Sequence, residues 1–134
     1  KNSHLISALI NKMHNAKLKR KKNIKIWGSG TPVRDFTFLK DVADASIHIM
    51  KNYKGKEPLN LTSGLVYSVK EVAYLVKKIT SYEGDIIFDK SKKDGMKVKK
   101  LDATPLKKIG WNHKYGIENS LIYTYKWFKE NKII

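Results

Sequence analysis

Hydrophobic and polar positions follow two different rhythms along this chain, and the switches between them mark out its elements. From Ser3 to about Ala16, Leu5, Ile6, Leu9, Ile10 and Met13 recur at helical spacing and form one apolar stripe. Ile24 and Ile26 then alternate with lysine and lead into Trp27, which predicts a short strand. Beyond the glycines at 28 and 30, Val33 to Phe38 reads as a second extended segment, and Asp41 as the N-cap of a helix through Val42, Ala45, Ile49 and Met50. Gly55 and Pro58 punctuate a loop, after which Leu59-Asn60-Leu61 predicts a short strand. Ser68-Val69-Lys70-Glu71 has the form of a capping box, followed by Val72, Leu75, Val76 and Ile79 on one helical face. Ile86-Ile87-Phe88 predicts a compact buried strand. From Asp89 to Lys100 the chain turns polar, with six lysines and Gly95, which predicts a loop of the kind that carries function. Asp102 caps a short helix ending at Gly110, with Pro105 in its first turn, and a last helix spans Ile117 to Asn131 with Leu121, Tyr125 and Phe128 inward. The expected fold class is α/β: a small mixed α/β domain of several helices and few short strands.

Composition narrows the function classes. A chain of 134 residues with 41% hydrophobic content and three tryptophans makes one globular domain with a real core. It has no cysteine, so disulfides, thiolate metal sites and cysteine nucleophiles drop out. The histidines at 4, 14, 48 and 113 show no i, i+4 pairing, and no metal site is expected. No apolar run approaches the roughly 20 residues that span a bilayer, and Lys1-Asn2-Ser3-His4 does not lead into a signal-peptide core. The expectation is a cytoplasmic protein without a membrane partner. The chain opens at Lys1 instead of methionine, so it reads as part of a longer protein or one that has been trimmed.

A net charge of +16 suits an anionic partner, whether nucleic acid or a phosphorylated small molecule. The densest run, Lys17-Leu18-Lys19-Arg20-Lys21-Lys22, reads as a solvated connecting loop. No recognition helix or aromatic-stacking sheet accompanies it, so a basic nucleic-acid module stays a secondary reading.

The stretch Ile26-Trp27-Gly28-Ser29-Gly30-Thr31-Pro32-Val33-Arg34-Asp35-Phe36 sets an indole, a glycine turn and a lone arginine between two apolar runs. One reading is an ordinary hairpin with a core tryptophan and a surface arginine. The other brings an aromatic plane beside a guanidinium, which suits a nucleobase joined to a phosphate.

Taken in order, several segments resemble the C-terminal half of the GDP-L-fucose synthases. These are epimerase/reductases of the extended short-chain dehydrogenase/reductase superfamily. The segments are Asn2-Ser3-His4; Trp27-Gly28-Ser29-Gly30-Thr31-Pro32 with Arg34; Asp41-Val42-Ala43-Asp44-Ala45; and Asn60-Leu61-Thr62-Ser63-Gly64. Phe88-Asp89, Asp94-Gly95, Lys99 to Asp102, Gly110-Trp111 and Tyr125-Lys126-Trp127-Phe128 complete the match. The resemblance implies that residues 1–134 are a nucleotide-sugar (substrate) binding domain without the Rossmann half. NADP(H) would be bound by an N-terminal Rossmann domain that this chain lacks, and the whole enzyme would be a homodimer. No glycine-rich dinucleotide loop is present. The Tyr-x-x-x-Lys spacing of Tyr74 and Lys78 falls on an apolar-striped helix, with no such loop upstream, and reads as coincidence.

The resemblance also implies roles. His4 would be the acid/base that moves protons beside a 4-keto group, chemistry that needs a group titrating near neutrality. Leu5 and Leu9 would offer apolar surface to the guanine alongside Trp27. Lys12 would hold the diphosphate where the family commonly has arginine, keeping the charge without the bidentate fork. Arg34 would grip two phosphate oxygens at once. Lys99 would contact the pyrophosphate, and Asp94 would accept from a ribose or sugar hydroxyl. Val98 stands where the family has arginine. The implied activity is NADP-dependent 3,5-epimerisation and 4-reduction of GDP-4-keto-6-deoxymannose to GDP-L-fucose. The alternative is a relative acting on another nucleotide sugar, such as a GDP-heptose or a UDP- or dTDP-sugar.

Overall fold

The first helix shows how the apolar stripe becomes a core. In a computed structural model that describes residues 4–131, α1 spans Leu5–Leu18 and buries Leu9, Ile10, Met13 and Ala16. The expected helix start at Ser3, and the match at Asn2-Ser3, lie outside the described residues. Strand β1 (Asn23–Trp27) turns Ile24 and Ile26 inward and its lysine and asparagine outward. It pairs in parallel with β4 (Asp85–Asp89), Ile24 opposite Ile86 and Ile26 opposite Phe88. Between these strands in sequence lies α3 (Val69–Thr80), whose buried Val72, Ala73 and Val76 join α1, β1, Leu121 and Tyr125 in one apolar cluster. Leu121 and Tyr125 come from α5 (Ile117–Asn131).

The capping box forms as patterned. The Glu71 amide donates to Ser68 Oγ at 3.1 Å, and the Ser68 amide donates to Glu71 Oε2 at 2.7 Å. A second sheet is built on β2 (Val33–Asp35), antiparallel to β3 (Val66–Ser68) and parallel to the two-residue β5 (Val98–Lys99). Helices α2 (Leu39–Asn52) and α4 (Thr104–Lys108) meet around a smaller cluster of Ala45, Leu106 and Trp111.

Several expectations need correction. The N-cap of α2 is Phe38, and Asp41 lies inside the helix, fully buried. Its carboxylate accepts from the backbone amides of Lys114 (2.9 Å) and Tyr115 (3.3 Å), so it satisfies the loop leading into α5 instead of its own helix. Asp44, one turn later, accepts from Trp111 Nε1 at 2.9 Å and Lys114 Nζ at 2.6 Å. Met50 is 84% exposed, outside any core. Leu59-Asn60-Leu61 forms no strand, and the strand in this region is β3, because pairing with β2 and not local pattern decides where the ladder runs. The second extended segment keeps its ladder only over β2. Ile87 is 41% exposed, so β4 is half-buried. Strands β1 and β2 belong to different sheets, so the glycine turn is a crossing point and not a hairpin.

Candidate functional site

That crossing point opens a broad groove of about 1280 Å³. Its walls are the start of α1, the end of β1, the glycine turn, β2 and the polar loop after β4. His4, Leu5, Leu9, Lys12, Trp27, Arg34, Asp94 and Lys99 all line it. Eight residues spread over 96 positions of sequence therefore converge on one surface. Four cations, Lys12, Arg34, Lys93 and Lys99, face two carboxylates, Asp35 and Asp94, and so the groove is biased toward anions.

The glycines make the crossing possible. Gly28 and Gly30 have φ of +86° and +80°, where a side chain is strained. A Cβ on Gly28 would also run into Asp94 Oδ1, and one on Gly30 would lie 2.5 Å from the Phe88 ring. Trp27, the last residue of β1, is 75% exposed. The structure therefore rejects the core-tryptophan reading, and the indole stands at the groove with its face available for stacking.

Arg34 and Lys99 are direct neighbours in the parallel β2–β5 pairing, which places two cations side by side. Arg34 Nη1 donates to the carbonyls of Val33 (2.8 Å) and Met96 (2.7 Å). Lys12 Nζ donates to the Lys25 carbonyl at 2.7 Å, which holds its ammonium against β1. Asp94 accepts from Ser29 twice, from the amide at 2.8 Å and from Oγ at 2.6 Å. Those two bonds, with a smaller pull from the Arg34 charge, hold the Asp94 carboxyl below the usual carboxylate range.

His4 is the N-cap residue of α1, exposed, with no bond from its side chain to the helix end. Leu9 is 3% exposed and belongs to the core, so it forms floor under the groove, whereas the half-buried Leu5 keeps surface toward it. Sequence reasoning missed Asp35, Phe36, Leu61 and Leu101, which also line the groove. Both Asp35 oxygens accept from Thr62 Oγ1 at 2.7 Å, and Oδ2 accepts from the Leu101 amide at 3.3 Å. The Asn60 to Gly64 segment was visible in the sequence, but its bond to Asp35 depends on a contact across 27 positions. Among the described residues no group of three or more His, Cys, Asp or Glu could hold a metal, and no helix is long and apolar enough to cross a membrane.

A model of the NAD dependent epimerase/dehydratase family matches residues 1–62. The chain is 39% identical over 132 residues to the probable GDP-L-fucose synthase 1 of Oryza sativa subsp. japonica, covering 98% of this chain and 40% of that protein. It superposes on a GDP-L-fucose synthetase from Naegleria fowleri with a TM-score of 0.89 at 28% identity, covering 97% of this chain and 40% of the other. A GDP-6-OMe-4-keto-L-xylo-heptose reductase from C. jejuni matches with a TM-score of 0.84 at 28% identity, over 96% of this chain and 48% of the other. The chain thus spans about 40% of the length of the curated relative it matches.

Proposed function

We propose that this chain belongs to the NAD dependent epimerase/dehydratase family and binds the nucleotide sugar in an NADP-dependent GDP-4-keto-6-deoxymannose 3,5-epimerase/4-reductase. The observation that supports this most is the groove, where an exposed indole stands near two adjacent cations on β2 and β5. Trp27 would stack on the base, with Leu5 beside it. Arg34 and Lys99 would hold the diphosphate, and Lys12 would add charge once released from the Lys25 carbonyl. The sugar would then extend toward the start of α1. There His4 would exchange a proton on one face of a carbon beside the ketone, while a second acid/base outside residues 1–134 would serve the opposite face, so that the centre inverts.

The glycine turn after β1 leads into β2 and not into the start of a helix, so it does not form the strand-turn-helix that cradles a dinucleotide pyrophosphate. NADP(H), bound in the Naegleria relative, would be held by a Rossmann domain outside residues 1–134, and dimer contacts would lie there as well. Alone, this chain would bind GDP without catalysing reduction.

Titration calorimetry with GDP, and with a short oligonucleotide at two salt concentrations, tests the reading. GDP binding that saturates at one site, with weak and steeply salt-dependent oligonucleotide binding, is the expected result. Tight oligonucleotide binding without GDP binding would support the nucleic-acid reading instead. The heptose reductase match supports a second reading, in which the same groove takes a GDP-heptose, and competition between the two sugars distinguishes them.

A further inference from the structure

The polar loop after β4 is not a free arm of solvated lysines. It is tied to the groove at successive points. Asp94 is held by Ser29, the Met96 carbonyl accepts from Arg34, the Lys97 carbonyl accepts from the Val33 amide at 2.8 Å, and β5 pairs with β2. The first of these ties has a built-in geometry. An ionised carboxylate only accepts, so the Ser29 hydroxyl proton points at Asp94 Oδ2. That leaves Ser29 Oγ as acceptor for Thr31, from its amide at 3.1 Å and its hydroxyl at 2.7 Å. The serine is therefore oriented from both sides. The absence of a side chain at Gly28 leaves the space into which Asp94 closes.

We propose that Ser29 and Asp94 form a latch that positions the 94–99 loop, and through it Arg34 and Lys99, for an incoming diphosphate. Ser29 is then a positioning residue, and Asp94 acts through it. A carboxylate pointing freely into the groove would repel a phosphate group. With Ser29 donating twice, Asp94 is instead turned onto the glycine turn. The effect on ligand rests on the nucleotide-binding reading above, whereas the latch itself does not.

Two measurements on the 134-residue protein separate these levels. Amide exchange at Val33, whose N–H bonds the loop, reports the latch without any ligand. Ser29→Ala and Asp94→Asn are expected to speed it by about tenfold, the loss of roughly one charge-assisted hydrogen bond, while Ser29→Thr keeps the wild-type rate. Unchanged Val33 exchange in Ser29→Ala overturns the latch, whatever binds. GDP affinity then tests positioning. Each single variant is expected to weaken GDP roughly fivefold to tenfold, and the double variant no further, because the two residues act as a unit. Additive losses, or a loss in Asp94→Asn with none in Ser29→Ala, would show that Asp94 touches ligand directly and overturn the proposal. If the wild-type protein binds no GDP, the functional reading fails while the exchange data still decide the latch.

Discussion

Replacing Arg34 by alanine separates the two jobs its position gives it. In the ligand-free protein, Nη1 serves the Val33 and Met96 carbonyls, both on a half-exposed edge. Each bond of this kind contributes about 1 kcal/mol net, so Arg34→Ala, which removes two on an exposed edge, should lower unfolding stability by about 1–2 kcal/mol. Binding should suffer more. The rest of the guanidinium fork remains for a diphosphate, and a charge-assisted contact of this type is worth about 2–3 kcal/mol. That corresponds to a roughly 30- to 150-fold rise in Kd for GDP. Arg34→Lys keeps the charge but loses the planar fork, so its Kd should lie between the two. Calorimetry with GDP, beside urea unfolding of each variant, reads both quantities. A Kd within about twofold of wild type, together with a lowered unfolding midpoint, would show that Arg34 only ties the loop at Met96 and that phosphate recognition lies elsewhere.

Trp27→Ala should weaken GDP by about 1–3 kcal/mol, the scale of one base stacked on an aromatic ring, while leaving thermal stability nearly unchanged because the indole is 75% exposed. Asp41→Ala removes a buried carboxylate from the part-buried Lys114 and Tyr115 amides and should cost about 1–3 kcal/mol in urea unfolding, with GDP affinity retained in the folded fraction. The Asp94 carboxyl is held below its ordinary range by Ser29, so its contribution is present above that range and lost as pH falls through the lowered value. Val33 amide protection should therefore hold at neutral pH and fall, by about the tenfold expected of Asp94→Asn, only in acid below the usual carboxylate range, and a fall near pH 6 would contradict this. In a whole enzyme containing this chain, His4→Gln should slow epimerisation by about 10²–10⁴-fold and stop solvent deuterium entering beside the ketone, with GDP affinity unchanged.

What the sequence determined by itself was whatever rests on neighbours a few positions apart. The stripe of α1, the alternation of β1, the Ser68–Glu71 box and the apolar face of α3 all appear where the periodicity placed them, because the helical turn and the pleat of an extended backbone impose those rhythms locally. The eight groove residues were also legible, through motifs in a consistent order. Tertiary structure decided what those residues touch. Asp41 looked like a helix cap by position, yet it became a buried acceptor for amides 73 and 74 positions away. Leu59 to Leu61 had a strand's alternation, but β2 paired with β3 instead. Trp27 could have been core; the alternation of β1 puts it on the outward side, and the divergence of β1 and β2 into separate sheets makes that side a groove. A strand, a buried carboxylate and a groove each need a partner from a distant part of the chain, and which partner arrives is settled by global packing, which local pattern does not encode.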